Sequence, residues 1–328
     1  MFNRPFRLGT RRSPLALAQA EEVRARLMAA HGLSAEVIEL VTMLASGDRV
    51  QDRPLAEIGG KALWTKELDA ALLAGEIDFA VHSAKDIETL RPAEIAIVAV
   101  LPREDVRDVL VLRQALDERN GISGIAALPP GARVGTSAPR RAAQLLNLRP
   151  DCLVVPFRGN VATRLAKLAA GEADATLLAA AGLNRLGESG TGHVLDAASW
   201  LPAPGQGAIA VECRALRPFD KLRTQDERAD WVSALLAAID HAPSRATLLA
   251  ERALLAALGG NCHSAIGVLS SLAGDMLTMR AVLFSPNGAE RVEAEATFAA
   301  GDSAGPAQLA HVLLAKASPA ITAHFAGS

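Results

Sequence analysis

Short apolar runs alternate with helical patterns along the first two-thirds of this chain, and no other feature of the sequence limits the fold as strongly. Several apolar runs are nearly continuous, as at residues 79–82 and 175–179, which is typical of strands covered on both faces. Helical stretches such as 14–30 and 161–170 lie between them. The alternation predicts α/β layers with largely parallel sheets.

Two strand-to-helix junctions resemble each other. One reads Gly9-Thr10-Arg11-Arg12-Ser13-Pro14, and the other reads Gly135-Thr136-Ser137-Ala138-Pro139-Arg140-Arg141. In the first, Ser13 is suited to cap a helix whose first residue is Pro14. The repeated pattern indicates two similar α/β domains.

Composition shifts mark the domain boundaries. Pro102 is followed by the charged residues 103–105, and prolines and glycines concentrate at 202–207, so we expect a discontinuous first domain at 1–102 and 203–222. The second domain is then 103–202. The charged stretch 217–230 is typical of a linker. After it come a helix ending near residue 258, alternating strands at 276–284 and 291–298, and a helix near 307–317. These elements predict a smaller α+β domain over residues 223–328.

Composition also excludes classes of function. Aromatic residues make up 3% of the chain and tyrosine is absent, which argues against stacking on single-stranded nucleic acid. The net charge of −2 predicts neither a nucleic-acid nor a membrane partner. The sequence has no apolar run of about 18 residues, and residues 1–12 do not follow a signal-peptide pattern, so we expect the cytoplasm. The three separated cysteines predict neither a disulfide framework nor a metal site.

Arginines cluster where the predicted helices begin. They are Arg11, Arg12, Arg140, Arg141, Arg158 and Arg164. Ligands of α/β sheets bind beyond the carboxyl ends of the strands, where helix N-termini and arginines favour anions. The alternative is that each arginine is solvated or paired with a glutamate. No junction matches a phosphate-binding glycine motif, so a nucleotide is not the expected anion.

Asp86 and Cys262 are the candidate reactive groups. Asp86 follows the apolar run 79–82 beside Lys85, and an ionised carboxylate there could stabilise a cation or move protons. The alternative is a capping or ion-paired aspartate, and His82 is interpreted as a structural histidine. Cys262 lies in a glycine-rich loop, where an accessible thiol could act as a nucleophile or attachment point. The alternative is an inert loop cysteine.

The stretch 42–64 is long for a loop in a compact domain. It is interpreted as a lid in which Lys61 or Trp64 reaches a ligand, or alternatively as surface disorder.

In combination and in order, these segments resemble the porphobilinogen deaminase (hydroxymethylbilane synthase) family over about residues 6–270. The matching stretches are 9–17, 80–86, 103–105, 134–137, 140–141, 158–161, 163–165, 181–187, 204–207 and 259–262. The resemblance implies a transferase of tetrapyrrole (haem) biosynthesis. Such an enzyme joins four porphobilinogen molecules head to tail, with loss of ammonia, into hydroxymethylbilane.

The resemblance also implies an architecture and a cofactor. Two periplasmic-binding-protein-like (type II) α/β domains with mixed sheets precede a smaller α+β C-terminal domain. A dipyrromethane cofactor is held by a thioether in the cleft between the first two domains, and no metal is expected. A monomer is implied, with hand-off of the product to uroporphyrinogen III synthase.

Site residues carry over position by position. Cys262 matches the attachment cysteine, and Asp86 matches the catalytic aspartate. The matching cofactor-binding positions are Ser83, Lys85, Asp86, Thr136, Arg140, Arg141 and Arg158. The matching substrate-binding positions are Arg11, Ser13, Arg158, Arg164 and Arg185. The lid positions are Lys61 and Trp64. The chain departs from the usual family pattern at Glu57, Trp64, Glu88 and Ala138.

Two other functions are compatible with the residues themselves. A non-catalytic anion-binding protein with two lobes would use the same arginines, although the loop thiol and the missing signal-peptide pattern count against it. An enzyme with a covalent nucleophile that acts on another anionic substrate is the second alternative.

Overall fold

The computed structural model describes residues 4–44, 65–114, 116, 124–215 and 227–325. Two compact units are formed, the first by the described residues of 1–50, 60–104 and 208–245. The second is formed by those of 105–207 and 246–328, and it holds two sheets with separate apolar cores. The three-domain boundaries given above stay a prediction.

The first unit is built on a five-stranded sheet. In chain order its strands are β1 (Phe6–Arg11), β2 (Ile38–Met43), β3 (Phe79–Ser83), β4 (Ile95–Val100) and β10 (Ile209–Arg214). Helices of this unit are α1 (Pro14–His31), α2 (Lys66–Ala74) and α6 (Glu227–Ala237). The strand order is β2-β1-β3-β10-β4. β1 is parallel to β2 and β3, whereas β10 is antiparallel to β3 and β4.

The second unit contains a sheet of the same design. Its strands are β5 (Asp108–Leu112), β6 (Arg133–Gly135), β7 (Leu153–Val155), β8 (Ala175–Ala179) and β9 (His193–Val194). Its helices are α3 (Pro139–Leu148), α4 (Val161–Ala169) and α5 (Ala180–Arg185). The order is β7-β6-β8-β5-β9, with β6 parallel to its neighbours and β5 antiparallel to its own.

The fourth strand in each order, β10 or β5, runs against its neighbours. The mixed sheets implied by the family resemblance are therefore confirmed, and the largely parallel sheets expected from the alternation alone are wrong at this strand. The physical reason is that apolar patterning reports which faces of a strand are buried and not which way the strand runs. β5 follows the first crossing between units, and β10 follows the return crossing.

The two similar junctions occupy equivalent positions, because β1 and β6 are each second in their sheet and each leads into a helix that begins with proline. Both need glycine for close packing. A Cβ on Gly9 would lie 2.3 Å from Ile77, and one on Gly135 would lie 2.4 Å from Phe157. The predicted cap is confirmed, since Ser13 Oγ accepts from the backbone N–H of Ala16.

The C-terminal part of the second unit is an antiparallel sheet with helices. Its elements are α7 (Ala242–Ala257), β11 (Ile266–Ala273), β12 (Met276–Phe284), β13 (Arg291–Ala299), α8 (Ala304–Lys316) and α9 (Pro319–Thr322). The strand order is β11-β12-β13, and the α+β class is confirmed. The sequence analysis missed β11, whose first half is buried and whose second half is partly exposed, so it lacks a single alternation.

Helix α6 differs from its predicted place. Val232, Leu236 and Ile239 join the core of the first sheet, whereas the sequence analysis began the third domain at residue 223. Residues 227–230, predicted as linker, form the first turn of α6, and 216–226 lie outside the described residues. Within the described ranges, no helix is long and apolar enough to cross a bilayer.

Candidate active site

A pocket in the first unit brings together four predicted site residues. Arg11, Ser13, Ser83 and Asp86 line it. They meet because β1 and β3 are parallel neighbours, whose carboxyl ends share one edge of the sheet. Asp86 ends a single 3-10 turn (Ala84–Asp86) that directly follows β3.

The pocket brings a basic side chain close to an acidic one. Arg11 Nη1 lies 3.7 Å from Asp86 Oδ2, with 18% and 35% of the two side chains exposed. At that separation the two charges attract, yet the carboxylate stays open to a ligand. Ser13 Oγ accepts from the N–H of Ala16 at 3.3 Å, so its hydroxyl also serves the helix end. Lys85 is half-buried on the same turn as Asp86.

Gln19 and His82 also line the pocket, and the sequence analysis assigned neither to a site. Gln19 Nε2 donates to Ser83 Oγ at 2.9 Å, which fixes that hydroxyl. A signal was available, because Gln19 is the polar member of the buried face of α1. Burial, followed by the charges of Arg91 and Arg11, lowers the pKa of His82 to about 3. His82 is therefore neutral, so its 3.3 Å approach to Glu212 is not an ion pair.

Behind the pocket lies a group that we call the Arg91 cluster: Arg91, Asp69, Glu88 and Glu212. Arg91 Nη2 donates to Asp69 Oδ1 at 2.6 Å and to Glu212 Oε2 at 2.8 Å. Arg91 Nη1 donates to Glu88 Oε2 at 2.9 Å. Burial alone would lower the pKa of Arg91, but Asp69 and Glu212 raise it, and the guanidinium stays charged.

In the second unit, Arg140 and Arg141 are buried in what we call the Asp108 cluster: Asp108, Arg140, Arg141, Trp200 and Gln206. Asp108 accepts from Arg140 Nη2 at 2.8 Å and from Arg141 Nη2 at 2.7 Å. Trp200 Nε1 and Gln206 Nε2 each donate to it at 2.8 Å. Burial alone would raise the pKa of Asp108, but Arg140 and Arg141 lower it far below its ordinary value. The sequence analysis missed Asp108, although a charged residue opening an apolar strand is a usable signal.

Two further predicted site arginines of this unit bind main-chain oxygens. Arg164 Nε donates to Gly159 O, and Arg185 Nη2 donates to Gly207 O, each at 3.0 Å. Arg158 and Thr136 are buried, and Thr136 Oγ1 accepts from the N–H of Ala138 at 3.2 Å. Ala138, the N-cap residue of α3, has no hydroxyl and gives the helix no side-chain cap.

Cys262 has an exposed thiol, outside any disulfide, in the loop between α7 and β11. Asn261 Oδ1 accepts from the N–H of His263 at 2.8 Å, which shapes the turn around it. Cys152 and Cys213 are buried, and burial raises the pKa of Cys213 to about 11. The accessible thiol expected at Cys262 is confirmed. Lys61, Trp64 and Glu57 lie outside the described residues.

The second unit fits an anionic cofactor. Two guanidiniums face one carboxylate in the Asp108 cluster, so one positive charge remains in a buried place. Within the described part of the chain, Arg140 Nε and Ser137 Oγ are buried without a hydrogen-bond partner. Buried polar atoms of this kind are suited to receive a ligand's carboxylates.

Family models match most of the chain. Residues 6–219 match the model described as porphobilinogen deaminase, dipyromethane cofactor binding domain. Residues 246–317 match the porphobilinogen deaminase C-terminal domain. The chain belongs to the porphobilinogen deaminase family. The family predicted from the motifs, and the enzyme class that goes with it, are confirmed.

Family members from several bacteria are similar over nearly their whole length. The porphobilinogen deaminase of Sphingopyxis alaskensis is 54% identical over 98% of this chain and 97% of its own. That of Nitrobacter winogradskyi is 46% identical over 98% of this chain and 96% of its own. That of Paracoccus denitrificans is 50% identical over 92% of this chain and 90% of its own.

Solved structures of periplasmic binding proteins are similar at low identity. A sulfonate-binding protein from Methylobacillus flagellatus KT is 17% identical over 72% of this chain and 68% of that chain, with a TM-score of 0.41. An aliphatic sulphonate binding protein from Escherichia coli is 18% identical over 76% of this chain and 80% of that chain, with a TM-score of 0.39.

Proposed function

We propose that this chain joins four porphobilinogen molecules head to tail, with loss of ammonia, into hydroxymethylbilane. The observation that carries the proposal is the pocket of the first unit, where Asp86, Arg11, Ser13 and Ser83 meet at one sheet edge. We propose that the chain works as a monomer in the cytoplasm and that its product passes to uroporphyrinogen III synthase.

Cys262 is proposed to hold a dipyrromethane cofactor through a thioether, because it is the exposed one of the three thiols. When bound, this cofactor supplies the nucleophilic end from which the pyrrole chain grows. The residues proposed to contact it are Ser83, Lys85, Asp86, Thr136, Arg140, Arg141 and Arg158. The surplus guanidinium of the Asp108 cluster supports this role, since each pyrrole ring carries two carboxylates.

Asp86 is proposed to stabilise the positive charge that develops on porphobilinogen as ammonia leaves. A carboxylate about 4 Å from a cation gains about 4 kcal/mol at an effective dielectric of about 20. If that gain arises in the transition state and not in the ground state, it accelerates the reaction by about a thousandfold. Asp86 suits this role because its partner Arg11 stands at 3.7 Å and leaves the carboxylate accessible.

The proposed substrate-binding residues are Arg11, Ser13, Arg158, Arg164 and Arg185. The guanidiniums of the four arginines would hold the carboxylates of incoming and joined pyrroles. Arg164 and Arg185 each keep one nitrogen on a main-chain oxygen, which orients the guanidinium before a ligand arrives. Lys61 and Trp64 are proposed as lid residues on the family resemblance alone.

Intact-protein mass tests the attachment. We expect the purified active protein to exceed its sequence mass by two pyrrole units, localised to the peptide that contains Cys262. Cys262→Ser should lack the excess, whereas the matched control Cys213→Ser, at a buried thiol, should keep it. A bare Cys262 thiol in fully active protein would contradict the proposal.

Asp86→Asn tests the chemistry. We expect turnover to be nearly abolished, with the thermal unfolding midpoint unchanged because the Asp86 side chain is partly exposed. Asp275→Asn, in an exposed turn, is the matched control and should keep full turnover. Normal turnover by Asp86→Asn removes Asp86 from the proposed role.

A further inference from the structure

We propose that Arg91 is a positioning residue that holds the turn bearing Asp86, and that Glu88, two residues after that turn, is its partner. The inference rests on the catalytic role proposed for Asp86 and adds to it a residue that does not line the pocket. It concerns where the carboxylate is held and not what the carboxylate does.

The turn that bears Asp86 is short, and it is held at its start, where the N–H of Ala84 donates to Ala208 O at 3.0 Å. It is one 3-10 turn, closed by a 3.3 Å bond from the N–H of Ile87 to Ala84 O. Regular structure resumes at Ile95, where β4 begins. Arg11 approaches Asp86 at 3.7 Å, which is longer than a direct hydrogen bond. The position of the carboxylate therefore depends on what holds the backbone just after it.

Arg91 holds that backbone from two directions. It forms a two-nitrogen contact with Glu212 on β10, with Nε to Oε1 at 2.9 Å and Nη2 to Oε2 at 2.8 Å. It forms a second with Asp69 on α2, with Nη2 to Oδ1 at 2.6 Å and Nη1 to Oδ2 at 2.9 Å. Two planar contacts to separate elements fix both the place and the orientation of the guanidinium.

Glu88 carries the restraint back toward Asp86. Its Oε2 accepts from Arg91 Nη1 at 2.9 Å and from Thr65 Oγ1 at 2.7 Å. The segment is thus held at Glu88, two residues after Asp86, and again at Arg91, three residues after Glu88. A lysine at position 91 would keep the positive charge but could not form the paired contacts, because its ammonium is a point charge.

The backbone also indicates a way to restore the turn without Arg91. Ile87 has φ −81° and ψ 134°, the extended conformation that precedes proline without strain. Proline at position 88 would restrict the same segment by covalent geometry. Glu88→Pro is therefore a rescue that acts through the backbone, since it removes the Glu88 carboxylate and adds no ligand contact.

The experiment uses the cofactor-loaded protein and measures kcat and KM separately. We expect Arg91→Lys to lower kcat by about 10- to 100-fold, since a misplacement of about 1 Å can cost a factor of about 100. KM and the intact mass should stay unchanged, because Cys262 and the arginines proposed to bind the substrate are untouched. Adding Glu88→Pro should raise the kcat of Arg91→Lys by about two- to fivefold.

Arg228→Lys is the matched control. Arg228 forms the same two-nitrogen contact with a carboxylate, Asp78, in the same unit but away from the pocket. Arg228→Lys should lower the unfolding midpoint about as much as Arg91→Lys does, and it should leave kcat unchanged. If Arg91→Lys fails to fold, Glu88→Gln replaces it, with an expected severalfold loss of kcat that Glu88→Pro does not show.

The outcomes separate the two proposals. Arg91→Lys with unchanged kcat, or with a loss of kcat that Arg228→Lys shares, overturns the inference, as does a failed rescue by Glu88→Pro. If Glu88→Gln is the variant used, unchanged kcat overturns it equally. Normal turnover by Asp86→Asn instead overturns the proposed function at Asp86.

Discussion

The Arg91 cluster and the Asp108 cluster each include a carboxylate on the corresponding strand of the two five-stranded sheets but have opposite charge balances. Glu212 lies on β10 and Asp108 on β5, the antiparallel fourth strand of each sheet, and both carboxylates are fully buried. In the Arg91 cluster one guanidinium meets three carboxylates. In the Asp108 cluster two guanidiniums share one carboxylate.

This difference separates two uses of a buried arginine. Where carboxylates outnumber the guanidinium, every donor nitrogen of the arginine is bonded to a protein group. The arginine then holds together the elements that carry those groups. Where arginines are in surplus, a buried donor such as Arg140 Nε has no hydrogen-bond partner among the residues that the structure describes. The comparison can be broken at either cluster, and the expected effects differ in size.

Asp108→Asn should have the largest effect on stability. It leaves two buried guanidiniums without a counter-charge, and removal of one partner from a buried ion pair costs about 3–5 kcal/mol. The measurement is the free energy of unfolding from urea titration. Asp69→Asn is the comparison variant in the Arg91 cluster, and its loss should be smaller because Arg91 keeps two carboxylates. Equal losses would show that charge balance does not distinguish the clusters.

Arg141→Ala should lower the free energy of unfolding less than Asp108→Asn does, and it should lower cofactor loading more. Asp108 keeps Arg140, so we expect a loss of about 1.5–3 kcal/mol, the value of a charged hydrogen bond. The surplus positive charge is gone, and intact mass should show protein without the two pyrrole units. A fully loaded Arg141→Ala protein would mean that the surplus charge does not serve the cofactor.

His82 should make the first unit sensitive to acid. The folded chain keeps His82 neutral down to its pKa of about 3, whereas an unfolded chain protonates it near 6.5. Between those values the unfolded state binds more protons, so the free energy of unfolding falls as the pH drops from about 6.5 toward about 3. His82→Gln should flatten this part of the curve, measured as unfolding midpoint against pH. An unchanged slope would show that His82 does not titrate in this way.

Asp151→Asn should have the smallest effect. Hydrogen bonds from Arg149, followed by one from the N–H of Gly131, lower the pKa of Asp151, much as its arginines lower that of Asp108. Asp151 is exposed, so water replaces the lost contact and screens the charge. We expect an unfolding midpoint equal to that of the unmodified chain, and a clear decrease would mean that a lowered pKa alone predicts stability.

Sequence reasoning recovered the local elements well because their signals are local. The bounds of β5, β8 and α2 follow from apolar runs that end at charged residues or glycine. The antiparallel direction of β5 and β10 was not recoverable from the same pattern, since it depends on where the chain crosses between units.

The distinction between local signals and distant pairings also applies to the candidate active site. Asp86 and Arg11 were predicted because both end strands, and parallel neighbouring strands bring such ends together. Asp108 and Arg91 were missed because each finds its partners far away in the chain, Arg91 with Glu212 and Asp108 with Arg140 and Trp200. A single sequence does not reveal pairings at that distance.

The late position of β10 has a consequence for synthesis on the ribosome. Residues 209–214 form the fourth strand of the first sheet, yet they are translated after the whole of the second sheet, which ends at Val194. The nascent first sheet therefore waits with β3 and β4 unjoined while the second sheet can already close. Glu212 emerges with β10, so the nascent chain must complete the second sheet before Arg91 meets one of its main partners.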